Sequence, residues 1–447
     1  MEHENGSHKR QPPSQPDETE ERRPDFIPAR PGRMVSLFGL IERIVEEFKL
    51  EHGEHESDAM KATTSVVDRR KLVRDVAEYI MGVESVQLSA KEQARVMARA
   101  YGELFGYGPL DEFLLDEQIT TVVLEGVEKI SVRRKPGAEL EPLPPIFEDN
   151  FHLQRTVGRI LRDANAELRE DIAIIEAGLR YEGRRIALNV ATPPTVIELT
   201  ADIRLHPLQA PTLDDLTDAG FINANARDLL RAIARSEQGF IIVGDAESGK
   251  TTLLNAMLSQ MPAQAIHTVE RAGELTLPSD DCQQWVATWR VGDDDGVTFG
   301  ARIQEALDQQ PDCVVLDEVR ADEPLSIAPL LNRDDVPRQV WSFRGASDAK
   351  RIRTGIAMLA RMADRSQPEA MVYNVQARLP FLIIVKRRKG YIQLREIAEW
   401  QLPDTPPADE MIYADYVPLM EMGWDDCELT GKRPQHALDL PDEFWEN

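Results

Sequence analysis

Apolar residues recur every three or four positions in three stretches between residues 34 and 106. This spacing is the period of an amphipathic helix, and Ser89 stands where a helix N-cap is expected. We therefore predict a helical segment over residues 33–105. The preceding residues, 1–32, are rich in Pro, Glu and Arg, a composition that predicts a disordered tail.

Between residues 106 and 208 the pattern changes to short strands around one helix. The segments ITTVVLEG and KISVRRK alternate like a strand pair, and NFHLQRTVGRILRDANA has helical spacing. A further hairpin is predicted to turn at Glu182–Gly183. This range is predicted to form a small α+β domain.

From residue 209 to residue 447, strands and helices alternate. The strands GFIIVG, AIHTVE, DCVVLDEV and RQVWSF are separated by helical stretches, and FLIIV and YIQLREIAEW are predicted to form a hairpin. Strand–helix alternation predicts a parallel sheet, and ligands of such sheets bind at the carboxyl ends of the strands. The predicted fold class is therefore α/β, with this domain following a smaller α+β domain and a helical segment.

One loop of the second domain has the spacing of a phosphate-binding motif, G-x-x-x-x-G-K-[ST]. It follows the strand FIIV and precedes a helix, so its backbone N–H groups and the helix dipole would face an anion. Its lysine would reach the phosphates, and its first threonine would join the Mg²⁺ shell. The two acidic side chains are predicted to point outward and to weaken anion binding without abolishing it. The loop consists of Gly244, Asp245, Ala246, Glu247, Ser248, Gly249, Lys250, Thr251 and Thr252.

A second acidic pair follows another apolar strand. The residues CVVL lead into Asp317 and Glu318. A carboxylate at the end of a strand beside a phosphate loop can hold Mg²⁺, and its neighbour can activate a water molecule. We predict Asp317 as a metal ligand together with Thr251, and Glu318 as the catalytic base.

Composition adds limits on partners and location. The formal net charge of −26 opposes nonspecific nucleic-acid binding, although solubility alone would also account for it. The three cysteines have no metal or disulfide spacing, which fits a reducing compartment. The sequence shows no signal peptide and no apolar stretch long enough to cross a bilayer. We expect a cytoplasmic protein that reaches the inner membrane through partners.

Six segments occur in the order known from one protein family: GYGPLDEFLLDEQITTVVLEG, GRRIALNVATPP, DIRLHP, GDAESGKTTLLNAM, HTVERAGEL and PDCVVLDEVRADEP. From about residue 75 to the end, the chain resembles the type II/IV secretion ATPases, and within them the tight-adherence pilus assembly branch. The resemblance implies a RecA-like P-loop domain below an N-terminal domain. It also implies a Mg²⁺-dependent ATPase, using ATP and Mg²⁺, that forms a hexamer and drives an integral platform of the inner membrane.

The resemblance assigns roles to individual residues. Glu318 stands at the family's catalytic glutamate, and Glu270 lies in its acidic motif, where it would support the metal or water shell. Arg185 and Arg204 lie where the family has arginines that reach the nucleotide. Arg344 replaces the histidine of the motif S-T-x-H-A-N-S and would supply a positive charge.

Other departures keep a second hypothesis open. Arg271 replaces the Asp that follows the acidic-motif glutamate, and Asp308, Gln310 and Cys313 replace arginines of the family pattern. Losing cations near a triphosphate reduces transition-state stabilisation. The chain is therefore either an ATP-hydrolysing motor or a degenerate paralogue with a structural or regulatory role. A third reading, the conjugative DNA-transfer branch, is opposed by the acidic charge.

Overall fold

The structure is a computed structural model, and it describes residues 26–28, 34–53, 60–61, 63–262, 265–333, 335–345, 349–388, 391–403, 414–423 and 426–446. These residues form two compact units, Met1–Asp111 and Glu112–Asn447. Most of the predicted tail lies outside the described residues, and the domain boundaries at residues 105 and 208 stay predictions. None of the described helices combines the length and the apolar character that crossing a membrane requires.

The first unit is mainly helical. A short antiparallel strand pair precedes three helices, whose apolar faces form one buried cluster that includes Leu40, Phe48, Val73 and Val96. The predicted N-cap is confirmed, because Ser89 and Glu92 form a reciprocal capping box. The elements are β1 (Phe26–Pro28), β2 (Met34–Ser36), α1 (Leu37–His52), α2 (Val66–Glu84) and α3 (Ala90–Phe105). A 3₁₀ turn, Gly108–Leu110, and α4 (Asp111–Leu114) come next in the chain.

An antiparallel sheet of six strands, in the order β5-β4-β3-β8-β7-β6, begins the second unit. Its predicted hairpin turns at Glu182 and Gly183, whose φ angles of 48° and 83° are the left-handed values of a tight two-residue turn. The elements are β3 (Thr121–Glu125), β4 (Lys129–Arg133), β5 (Glu141–Leu143), α5 (Asn150–Asp163), β6 (Ile174–Tyr181), β7 (Arg184–Ala191) and β8 (Thr200–Leu205).

A larger sheet of nine strands has the order β11-β10-β12-β13-β9-β14-β15-β16-β17. The pairs from β11 to β14 are parallel, as the alternation predicted, and the last three strands extend the sheet antiparallel. The strands are β9 (Phe240–Gly244), β10 (Ile266–Glu270), β11 (Gln283–Val286), β12 (Cys313–Val319), β13 (Arg338–Arg344), β14 (Phe381–Arg388), β15 (Tyr391–Gln401), β16 (Asp415–Met422) and β17 (Cys427–Leu429).

Helices cover both faces of this sheet. Alternate residues of β9 belong to two separate buried clusters, with Phe240 and Ile242 in one and Ile241 and Val243 in the other. A strand that is buried on both faces has apolar residues at consecutive positions, which explains the continuous apolar run FIIV in the sequence. The helices are α6 (Leu213–Asp218), α7 (Ala224–Arg235), α8 (Lys250–Leu258), α9 (Phe299–Asp308), α10 (Ala328–Leu331), α11 (Ala349–Ala363) and α12 (Pro368–Arg378). Two 3₁₀ turns, Pro324–Ile327 and Asp442–Glu446, complete the elements.

A buried carboxylate fixes the C-terminal segment to β15. Glu399 is fully buried and accepts hydrogen bonds from the backbone N–H groups of Gln435 (2.6 Å) and His436 (2.9 Å). The His436 Nδ1 atom and the Gln401 amide each lie 2.8 Å from its oxygens. Burial by itself would raise the pKa of Glu399, but the hydrogen bonds from His436 and Gln435 outweigh it, so the pKa lies below its ordinary value.

We expect Glu399→Gln to lower the free energy of unfolding by about 2–4 kcal/mol, because an amide NH₂ would face N–H donors. Since the folded pKa is depressed, the contribution of Glu399 is present above the ordinary glutamate pKa and is lost as the pH falls through the folded value. Urea unfolding at several pH values measures both effects. Glu428→Gln, on the exposed surface of β17, is the control; equal losses in the two variants would contradict this role.

Candidate nucleotide site

The predicted phosphate loop connects the end of β9 to the start of α8. Gly249 immediately precedes the helix with a left-handed φ of 86°, a conformation that favours glycine. Gly244 has no room for a side chain, because a Cβ atom there would lie 2.3 Å from Ser248 Oγ and 2.6 Å from the Val385 carbonyl oxygen. The two glycines of the motif are therefore required by the geometry of the loop. The lysine that follows them, Lys250, begins α8.

Lys250 is almost fully buried and bridges the loop to the end of β12. Its Nζ donates to the Asp245 carbonyl oxygen at 2.8 Å and lies 2.9 Å from Glu318 Oε2. Arg320 lies on the other side of Glu318, with Nε 3.6 Å from Oε1. Glu318 is therefore held between two cations at the carboxyl end of the sheet.

The other strand-end carboxylate, Asp317, lies beside Thr251. The Thr251 hydroxyl is 3.2 Å from Asp317 Oδ2, and the Ser342 hydroxyl donates to Asp317 Oδ1. Asp317 is buried, and burial together with the charges of Glu274 and Glu270 raises its pKa to about 7. The sequence analysis predicted Lys250, Thr251, Asp317 and Glu318 as parts of one site. In the structure, Lys250 contacts Glu318 and Thr251 contacts Asp317 at the same edge of the sheet.

A small cavity of about 40 Å³ lies at this edge. It is lined by Glu176, Leu188, Arg204, Thr251, Arg271, Ala272, Glu274, Asp317, Glu318 and Arg320. Both sheets of the second unit contribute to the lining, and the Arg320 Nη2 atom lies 2.6 Å from Glu176 Oε1 between them. Because the volume is that of about one water molecule, a larger ligand requires these side chains to separate.

The cluster around Glu274 supplies further charges from the six-stranded sheet. Arg204 Nη2 lies 3.3 Å from Glu274 Oε1, and His206 Nε2 lies 3.0 Å from Glu274 Oε2. Burial acts to raise the pKa of Glu274, but Arg204 and His206 outweigh it and lower the pKa to about 2. Glu274 is therefore an ionised carboxylate that fixes Arg204 at the cavity.

Among the described residues, the predicted site residues that lie outside the cavity lining are the phosphate loop other than Thr251, together with Glu270, Arg185 and Arg344. Glu270 is buried, and its carboxylate accepts from Thr268 Oγ1, the Leu275 backbone N–H and Gln284 Nε2, each at 2.7 Å. Arg185 donates to the Thr276 hydroxyl. Arg344 is exposed at the end of β13, in register with Gly244. Their catalytic and binding roles stay predictions.

Five polar contributors to this edge were not predicted as site residues: Glu176, Arg271, Glu274, Arg320 and Ser342. Ser342 had a signal, because it is a polar residue near the end of the apolar strand β13. Glu176 had none, since it comes from the middle of β6 and reaches Arg320 only through tertiary packing. Arg271 was noted as a departure, and its Nε donates to the Glu318 carbonyl oxygen at 3.1 Å.

Close packing of the two sheets depends on one glycine. A Cβ atom at Gly178, in β6, would lie 1.7 Å from the carbonyl oxygen of Ala272, at the cavity. Gly178→Ala must therefore shift backbone, and we expect it to lower the free energy of unfolding by about 1–3 kcal/mol. Urea unfolding measures the effect.

The matched control is Gly355→Ala in α11, where a Cβ atom meets open space among the described residues. In a helix this change is expected to be neutral or to stabilise by up to about 1 kcal/mol. Equal stability of the two variants would show that β6 is not held against Ala272.

These features define a class of protein. A parallel sheet carries a phosphate loop after β9 and an acidic pair at the end of β12, with β13 between the two strands. The second unit thus combines an α/β domain, built on a mainly parallel sheet, with a smaller α+β sheet, as the predicted fold class stated. The RecA-like character of the α/β domain stays a prediction.

Residues 168–330 match the model of a family described as "Type II/IV secretion system protein". The family match and the resemblance drawn from the motifs therefore agree over these residues. The match does not reach the level of the tight-adherence branch, which stays a prediction.

Several known proteins are similar to parts of this chain. The chain is 28% identical over 237 residues to a putative conjugal transfer protein of Mycobacterium tuberculosis, covering 52% of this chain and 66% of that protein. It is 31% identical over 152 residues to type II secretion system protein E of Klebsiella pneumoniae, covering 34% and 29% of the two chains. The ATPase DotB of Legionella pneumophila is similar at 15% identity and a TM-score of 0.44, covering 69% of this chain and 78% of that one. The chain thus spans less than two thirds of the length of the first relatives that it matches.

Proposed function

We propose that this chain is a Mg²⁺-dependent ATPase that powers pilus assembly or protein secretion. The observation that carries the proposal is the contact of Lys250, Thr251, Asp317 and Glu318 at the carboxyl end of the large sheet. A phosphate loop, a metal-binding pair and a candidate base are the parts that phosphoryl transfer to water needs.

The loop fits the phosphates of a nucleotide. The two required glycines give it the backbone shape of a phosphate cradle, and α8 begins at Lys250 with its positive dipole end toward the site. Lys250 would leave Glu318 and bind the phosphates instead. Because the cavity is small, nucleotide binding would also require the side chains that line it to separate.

Thr251 and Asp317 are the residues that would hold Mg²⁺. Mg²⁺ in nucleotide sites binds through one or two protein side chains together with waters and substrate phosphates, and Thr251 and Asp317 would supply the two side chains. When bound, Mg²⁺ would neutralise part of the negative charge of the phosphates. A nearby cation would also favour the ionised form of Asp317, whose pKa is raised by burial.

Glu318 is the proposed general base, and nearby arginines are the proposed cations. Release of Lys250 would leave Glu318 Oε2 without its cation, so that this oxygen could accept a proton from water while Arg320 stays beside Oε1. Arg204 and Arg320 line the cavity and would stabilise the charge that develops on the transferred phosphate. Arg185 and Arg344 lie outside the lining. We propose that they reach the nucleotide only after its binding rearranges the site, or that they contact the nucleotide of a neighbouring copy.

Following the family resemblance, we propose that six copies form a ring in the cytoplasm and act on an integral platform of the inner membrane.

Glu274, ionised and facing the cavity, is a better candidate than Glu270 for orienting the metal shell, since the Glu270 carboxylate already accepts hydrogen bonds from three donors. The DNA-transfer reading takes support from the name of the mycobacterial relative, but the net charge of −26 opposes it.

The degenerate-paralogue hypothesis is the alternative. It is favoured by Arg271 and Arg344, which replace family residues, and opposed by the complete loop and the Asp317–Glu318 pair. Steady-state ATP hydrolysis with Mg²⁺, compared between the purified wild-type chain and Lys250→Ala, decides between them. Equal and near-zero rates would rule out the motor, and ATP binding without turnover in the wild type would support the paralogue.

A further inference from the structure

The acidic residue in the middle of the phosphate loop has an unusual environment. Glu247 adopts a left-handed φ of 56°, a conformation that is strained for a residue with a side chain. Glycine is the residue that adopts this conformation without steric cost. A carboxylate here also adds negative charge to a loop that would bind an anion.

Two arginines from different parts of the fold hold this carboxylate. Arg133 Nη1 lies 2.9 Å from Glu247 Oε1, and Arg387 Nη1 donates to Glu247 Oε2. Arg133 ends β4 in the six-stranded sheet, while Arg387 lies near the end of β14 in the large sheet. Each oxygen of Glu247 therefore has its own guanidinium partner.

The same arginines also hold the turn after β4. Arg133 Nε donates to the Ala138 carbonyl oxygen at 2.8 Å, and Arg387 Nη2 donates to it at 3.1 Å and to Gly137 at 3.3 Å. The Arg133 side chain is only 7% exposed, so water screens this pair little. The cluster is thus a built contact between the loop and both sheets.

We propose that Glu247 is a positioning residue that latches the phosphate loop to Arg133 and Arg387. The latch has two effects. It holds the loop in its left-handed shape without a glycine, and it neutralises the carboxylate before an anion binds. Through the second effect the loop becomes sensitive to the position of the six-stranded sheet, because withdrawal of Arg133 leaves only Arg387 to compensate the Glu247 charge beside the phosphate cradle. The second effect rests on the proposed nucleotide binding, whereas the first does not.

The test of charge neutralisation is a rescue experiment with Mg²⁺-ATP as the probe, measured by isothermal titration calorimetry. Arg133→Gln is expected to raise the Kd about tenfold, a typical coupling for residues in contact. In a Glu247→Gly background, the same Arg133→Gln change is expected to leave the Kd within about twofold of that background. Arg134→Gln is the matched control, because the neighbouring Arg134 pairs with Asp116 and Glu141 at the surface instead.

An equal rise of the Kd in both backgrounds would overturn the latch, since Arg133 would then act on the nucleotide directly. No rise in either background would also overturn it. A wild-type chain that does not bind Mg²⁺-ATP would contradict the proposed function, which is a separate result.

The latch itself is tested without nucleotide by amide hydrogen exchange of residues 245–249. Arg133→Gln and Glu247→Gln are each expected to speed exchange in this segment by several-fold, while Arg134→Gln leaves it at the wild-type rate. Unchanged exchange in the first two variants, with the fold intact by circular dichroism, would contradict the positioning role.

Discussion

Lys250→Ala is expected to abolish detectable Mg²⁺-dependent ATP hydrolysis and to weaken nucleotide binding strongly. Removing one preorganised charge from a developing anion costs about 10²–10³-fold in kcat. Here the loss should be at the upper end, because Lys250 is buried at the start of α8 and lies between the loop carbonyl of Asp245 and Glu318. Hydrolysis by phosphate release and binding by calorimetry measure the two effects.

A matched control for this variant is Lys129→Ala, on the exposed hairpin of the six-stranded sheet. This variant removes the same side chain and charge at a position that is distant in sequence from the phosphate loop. It should hydrolyse ATP at the wild-type rate. Thermal unfolding of both variants separates a chemical effect from a folding effect, since loss of Lys250 also leaves Glu318 with one cation fewer. Wild-type hydrolysis in a folded Lys250→Ala protein would contradict the nucleotide site.

Glu318→Gln is expected to lower the rate of hydrolysis by about 10²–10⁴-fold, the usual contribution of a general base. Its effect on binding should be opposite to that of the lysine variant. The ion pair that Glu318 makes with Lys250 at 2.9 Å competes with the phosphates for the lysine, so the neutral amide should leave ATP binding equal to or tighter than wild type. Single-turnover hydrolysis and equilibrium binding distinguish these outcomes.

The control for the base is Glu323→Gln, which lies on the segment after β12 and pairs with Arg271 at 2.9 Å. It tests whether loss of any carboxylate near this edge slows the reaction. Equal rates in Glu318→Gln and the wild type would exclude Glu318 as the base and would direct attention to Glu274. A wild-type chain that binds ATP but does not hydrolyse it would favour the degenerate paralogue over the motor.

Much of the fold could be predicted from short-range patterns. The helices of the first unit, the hairpin at Glu182–Gly183 and the parallel strands β9, β10, β12 and β13 all follow from apolar periodicity and turn residues. Strand β11 and helix α12 were not predicted. QQWV is too short and too polar to stand out, and the helical stretch Pro368–Arg378 has only a weak amphipathic pattern.

The family resemblance supplied roles for residues outside the phosphate loop and the acidic pair. It pointed to Arg204, which lines the cavity, and to Arg185, which does not. It also pointed to Glu270, whose carboxylate bonds to Thr268, Leu275 and Gln284. A motif fixes which residues stand near each other in sequence, but the direction of each side chain depends on the strands that pack around it.

By itself, the sequence determined the phosphate loop, the acidic pair after β12 and the order of the elements, because these depend on residue type and local spacing. Only the tertiary structure decided which charges compensate one another. Glu247 meets Arg133 and Arg387 from positions 114 and 140 residues away, and Glu176 meets Arg320 across 144 residues. Electrostatic interactions act through space and are screened in salt solution over about 10 Å, so their partners are set by the packing of the sheets and not by distance along the chain.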